Sequence, residues 1–277
     1  MKINFLINDY NLIWNVLFQA SITERVHALK QKLWNNYKDA YSKAYGDNKE
    51  IIADYKNFIP NDDTIYNMVV GNEVYLNVKR QTEKYRIELL NLWDENKKDI
   101  NKFVKEVLRV DIAPVDVLVV NPHVDNMDLS GLEKGNTIVW SKKIDKSDRA
   151  KSLAVLIYSI ASKLTLKYKG DDLLIARSVL ELALLNELPT RLGKRSYYLM
   201  GSTNLQPIKR QIYPYFLMYL GVTKEDMTKY MERDKIAFDT FKYTSERQLK
   251  NVDINRFIKF CINNKKYIMR MKLLDTV

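Results

Sequence analysis

Side chains with the chemistry to do work cluster in the middle of the chain. Tyr158, Ser159 and Ser162 lie within one short stretch, and Glu187 and Arg191 follow four residues apart on a later one. A serine nucleophile needs a base oriented beside it, and the sequence holds no G-x-S-x-G elbow. Hydrolysis without a metal would require Tyr158, Ser159 or Glu187 to titrate abnormally inside a closed pocket. The same spacing also lets Glu187 pair with Arg191 along a helix, and Tyr158, Ser162 and Thr165 share a face that reads equally as a partly wet groove. There is no P-loop and no G-x-G-x-x-G fingerprint, since Gly170 and Gly193-Lys194 lack the glycine-rich approach that cradles a phosphate. His27 and His123 are the two histidines, too far apart for ligand spacing, and read as surface or capping residues.

Charge supplies a second candidate. Lys and Arg number 45 against 34 Asp and Glu, a net +11 that attracts anionic surfaces in general. Much of it is interspersed with acids, as at Lys97, Lys98 and Asp99, which reads as a solvated helix face. From Leu188 to Val222 there is no acid at all, while Arg191, Lys194, Arg195, Lys209 and Arg210 lie near Tyr197, Tyr198 and Tyr213. This segment is the expected surface for an anion, a nucleic acid included.

These residues must be held by elements that the pattern also announces. With 8 glycines and 6 prolines in 277 residues, obligatory turns are few and long helices are favoured. Ile3, Phe5 and Ile7 alternate as a first strand, and helical periodicity then runs in pieces from Leu12 towards Tyr45. Gly46-Asp47-Asn48 breaks it, and Pro60-Asn61-Asp62-Asp63 marks a turn with an Asp cap for a short helix. Val74 to Val78 reads as a brief extended run, followed by a long amphipathic helix to Val110. Val115 to Val120 and Thr137 to Trp140 are buried-strand patterns. Ser147 or Asp145 is placed to cap a helix from about Asp148 to Tyr168, and a second helix runs from Asp171 to Gly193. Further helices are expected near 208–220, 224–233 and 253–264.

The expected class is α+β, helix-dominated, with a small sheet of three or four strands packed against helices. Residues 121–136 are the expected hinge between a mainly helical part, 1–120, and a core, 121–277, if the chain is not one domain. Cys261 is the sole cysteine, so no internal disulfide forms, and its apolar neighbours point to a buried thiol in a reducing cytoplasm. Polar residues interrupt the first ten positions before a signal-peptide core develops. The longest clean apolar run, Leu153 to Tyr158, is far short of the roughly 20 residues that span a bilayer.

The order strand, helix, turn and helix over residues 137–193 resembles the core of gluzincin zinc metallopeptidases. In that family an edge strand precedes a helix bearing H-E-x-x-H, and the next helix donates a glutamate, often within N-E-x-x-x-D. Asn186-Glu187-Leu188-Pro189-Thr190-Arg191 is similar to the second element, with Arg191 in place of the acid. The best register for the pentad is Tyr158-Ser159-Ile160-Ala161-Ser162, which holds neither histidine. Glu187 alone carries over, and 24 residues separate it from Ser162, as the family's spacing allows. One carboxylate cannot hold a catalytic zinc, which takes three protein ligands. The resemblance therefore implies a metallopeptidase-like core without metal or other cofactor, catalytically inactive, that binds a peptide or protein partner in the former cleft. The alternatives are a basic protein that binds nucleic acid or another anion, and a non-metal hydrolase.

Overall fold

The computed structural model describes residues 1–19, 23–120, 135–193, 197, 199–223, 226, 249 and 251–269. The chain folds into two compact units, Met1–Glu95 with Ala113–Lys146, and Asn96–Ile112 with Ser147–Val277. The units interleave along the chain rather than dividing at residue 120. Thr137–Trp140, which lies beyond that position, hydrogen-bonds to the strand before it. Of the expected hinge, 121–134 falls outside the described residues.

The first unit opens with β1 (Ile3–Leu6) and continues through α1 (Asp9–Phe18), α2 (Glu24–Asn36), α3 (Lys38–Gly46), α4 (Asn48–Ala53) and α5 (Thr64–Val70). A long helix, α6 (Glu73–Phe103), contributes its residues up to Glu95 here and the rest to the second unit. β2 (Val115–Val119) and β3 (Thr137–Trp140) complete a parallel sheet in the order β1-β2-β3. The central strand is nearly all apolar and largely buried, as a parallel strand covered on both faces should be. Leu118 and Val139 join the core that α1, α2 and α5 build with Leu12, Val16, Leu33 and Ile65.

Residues 74–78 are helical, not extended. Val74 N donates to Asn72 Oδ1 at 2.9 Å and Leu76 N to Asn72 O at 2.9 Å, so capping by Asn72 starts α6 earlier. The four-residue step from Val74 to Val78 packs both against the core, and the Tyr75 hydroxyl donates to Asp9 at 2.6 Å.

One polar tie secures the sheet. Asp116 on β2 accepts from its register partner Asn4 at 2.7 Å and from the Tyr55 hydroxyl at 3.1 Å, and Lys56 lies 3.4 Å away. Burial pushes this carboxyl up, but the bonds from Asn4, Tyr55 and Lys56 outweigh it and hold it below the usual carboxylate range. A lowered folded value means the stabilisation is present above the unfolded value of about 3.9 and is lost as pH falls through the folded one. Urea midpoints measured from pH 6 to pH 2 should therefore decline less steeply below pH 4 for Asp116→Asn than for the wild type.

Among its described residues the second unit consists of helices and the turns that join them, with no strand. After α6 come a π turn (Val104–Leu108), α7 (Arg149–Ala161), a 3₁₀ turn (Ser162–Thr165), α8 (Gly170–Glu181), a second π turn (Leu182–Glu187) and α9 (Leu188–Gly193). A short 3₁₀ turn precedes α10 (Gln206–Tyr219), and α11 (Ile254–Asn263) follows. Asp148, rather than Ser147 or Asp145, caps α7: its Oδ1 accepts from Lys151 N at 3.0 Å and from the Tyr197 hydroxyl at 2.6 Å. α8 packs against α10 and α11, and α7 against α9. α11 buries Ile254, Phe257, Ile258 and Cys261 on one stripe, and burial pushes the Cys261 thiol up. Of the helix expected over 224–233, residue 226 alone is described, and it is helical. Among the described residues no helix is long and apolar enough to cross a membrane.

Candidate functional site

A groove of about 270 Å³ in the second unit is lined by Asp99, Lys102, Phe103 and Glu106 on one side and Leu188, Arg191 and Leu192 on the other. Each wall adjoins an irregular turn of helix. On the α9 side the cause lies in the sequence: Pro189 has no N–H to return to residue 185, and the ladder widens before it, with Leu188 N reaching Ala183 O. The Asn186 amide takes up slack by donating to Glu181 O at 2.7 Å. On the α6 side the π turn carries Glu106 and ends at Arg109, whose φ of 55° closes the helix in the left-handed region. Such turns recur at functional sites.

The groove's chemistry is mixed. Phe103 and Leu188 are buried and supply an apolar floor. Two acids, Asp99 and Glu106, and two bases, Lys102 and Arg191, stand around it. Arg191 Nε donates to Glu187 Oε1 at 2.7 Å, and its guanidinium lies 5.5 Å from the centroid of Phe103. The helical pairing of Glu187 and Arg191 that the spacing allowed is thus present.

The hydroxyls of α7 serve the helix end. Ser159 Oγ donates to Val155 O at 3.1 Å, Ser162 Oγ to Ser159 O at 2.7 Å and Thr165 Oγ1 to Ser162 O at 2.6 Å. Back-bonding of this kind competes with the regular ladder, and α7 passes into a 3₁₀ turn at Ser162. The stretch from Tyr158 to Ser162 therefore occupies the C-terminal end of α7, with Tyr158 half-buried and Ser159 buried. Neither serine lines the groove beside Arg191.

The basic segment is divided by burial. Lys209 does not belong to a surface: its side chain is 0% exposed, with Nζ 2.6 Å from Glu181 Oε2, itself 1% exposed, and 2.7 Å from Met200 O. Glu181 also accepts from Ser202 N at 3.1 Å, and Asn186 accepts from Met200 N at 3.0 Å. The loop at 199–202 is clasped from both sides. Gly201 in it has φ +108°, and a Cβ there would lie 2.3 Å from Glu181 Oε2, so glycine is required. Arg210 is exposed on α10, whereas Lys194, Arg195, Tyr198 and His123 fall outside the described residues. His27 is exposed on α2.

Sequence reasoning missed the α6 wall. Phe103 fell within the long amphipathic helix expected up to Val110, and Asp99 read as part of a solvated face. Pro189 was the signal for the distorted turn. Among the described residues no three His, Cys, Asp or Glu side chains group in a way that could hold a metal ion. Compared with known proteins, the chain matches no family model, no curated protein and no solved structure.

Proposed function

We propose that the second unit binds a segment of polypeptide in the groove between the end of α6 and α9, acting by binding rather than turnover. The observation that carries this reading is an apolar floor ringed by two charges of each sign. A polypeptide presents apolar side chains, main-chain donors and acceptors, and charges of both signs. A polyanion would meet Asp99 and Glu106 as repulsive neighbours. The volume lies just below the roughly 300–1,000 Å³ of small-molecule pockets, which suits a few side chains of a longer segment. Withdrawal of Lys209 into the interior further weakens the anion-binding alternative.

The proposal includes a gluzincin-like scaffold with a degenerate site. The edge position of β3, the helix α7 after it, and Asn186-Glu187 on the following helical segment support that descent. Glu187, the one matched residue, is engaged by Arg191.

Fluorescence anisotropy with a panel of labelled unstructured peptides tests the reading. Peptides carrying an apolar residue flanked by opposite charges should bind, and Arg191→Gln or Lys102→Gln should weaken them about tenfold, some 1.4 kcal/mol. Equal binding by both variants would remove the groove from the argument. Cleavage of the peptides in the same tubes would overturn binding without turnover.

A further inference from the structure

A second surface lies in the first unit, on α2 and α3, and it is aromatic. Tyr41 and Tyr45 lie one turn apart on α3, about 6 Å along its axis, and Tyr37 is the residue that precedes this helix. Trp34 on α2 meets Tyr41 edge-on at 5.7 Å, and Phe18 meets Tyr41 at 4.8 Å and Tyr45 at 5.2 Å. The row is fastened from beneath, where buried Trp14 donates through Nε1 to Tyr45 O at 3.1 Å. Its outer rings stay open to water, Trp34 at 43%, Tyr37 at 37% and Tyr45 at 61% exposure.

The charges among these rings decide between partners. Residues 23–46 carry Arg25, Lys30, Lys32, Lys38 and Lys43 against Glu24 and Asp39. Lys38 Nζ lies 5.3 Å over the Trp34 ring, and Lys43 is held by Asp62 at 3.3 Å. Lysine is depleted from the cores of protein interfaces, whereas sites for single strands combine cations for the phosphates with aromatic faces for the bases. We infer that this face binds single-stranded nucleic acid. Half-buried Tyr41 braces this row, and the open rings Tyr37 and Tyr45 stand eight residues apart, about 12 Å along a helix axis, which exceeds the roughly 3.4 Å rise per nucleotide of a duplex strand, so the strand is drawn out and its bases stack on rings instead of on each other. Flexible pyrimidine runs fit best. The residues are distinct from the acid-free segment 188–222 and from the polypeptide groove.

Anisotropy of labelled 15-mers of dT and U, titrated with the full chain, is the test. Binding should weaken steeply with salt. Trp34→Leu and Tyr45→Ala should each reduce affinity about tenfold while far-ultraviolet circular dichroism stays unchanged. Lys32→Gln and Lys38→Gln should each lower the salt slope by roughly 0.7. Absence of binding, equal affinity for a 15-base-pair duplex, or unaltered affinity in both ring variants would overturn the inference. Heparin displacing the strand without any effect of the ring variants would reduce it to charge alone and overturn it equally.

Discussion

Lys209→Met is expected to destabilise the second unit by about 3–5 kcal/mol, because it strands the Glu181 carboxylate without its cation in a place water does not reach. The pair gains little merely by existing, since two ions had to be dehydrated to form it. Loss of one partner leaves that desolvation uncompensated and also frees Met200 O, which the ammonium holds at 2.7 Å. Glu181→Gln should destabilise for the mirror reason, leaving a buried ammonium. In the double variant neither charge remains, and the amide still offers an oxygen to Ser202 N. Its loss should therefore fall well short of the sum of the two single losses. Urea unfolding read through reaction of Cys261, the chain's one thiol and a buried residue of α11, reports on this unit. A loss below 1 kcal/mol for Lys209→Met would mean that water solvates Glu181 once the lysine is gone.

Phe257→Ala should cost about 3–5 kcal/mol as well, by a different route. The ring is fully buried and stacks on Tyr219 at 4.7 Å, with Phe216 and Phe260 at 6.1 and 6.3 Å. Tyr219 is itself fixed, since its hydroxyl donates to Val107 O and Arg109 lies over its ring at 5.4 Å. Fixed neighbours cannot collapse into the space, so the cavity persists and its cost adds to the lost transfer energy. Phe257→Leu keeps most of the volume and should cost less than half as much. Equal losses for the two variants, measured by the same thiol-reaction titration, would show that the site relaxes freely.

The elements whose signal is local were legible in the sequence. β2 and β3 are short, mostly apolar and buried runs, and α11 repeats its apolar residues at helical steps, so period and punctuation sufficed. Val74 to Val78 misled because apolar Val74, Leu76 and Val78 fall at every second position, while the deciding bond, Asn72 to Val74 N, is a capping contact that alternation does not reveal. In the site, the Glu187–Arg191 pair was visible because it spans one helical turn. Lys209 was counted as surface charge because its partner stands 28 positions earlier, and no spacing rule reaches across two helices. The groove's far wall was hidden for the same reason: Phe103 and Leu188 belong to segments 85 residues apart.

The parallel pairing of β1 with β2 sets a timetable for the chain. Ile3 emerges first during synthesis, yet its register partner Val115 follows 112 positions later, after six helices have been made. At about 5–20 residues per second, the first strand waits roughly 5–20 s for a neighbour, and β2 waits again for Thr137–Trp140. Contacts this distant in sequence slow folding, since the loop must close before the pairing rewards it. A nascent chain halted before Val115 would carry Ile3–Leu6 as an unpaired apolar strand, which makes this interval the one in which ribosome-associated chaperones have most to shield.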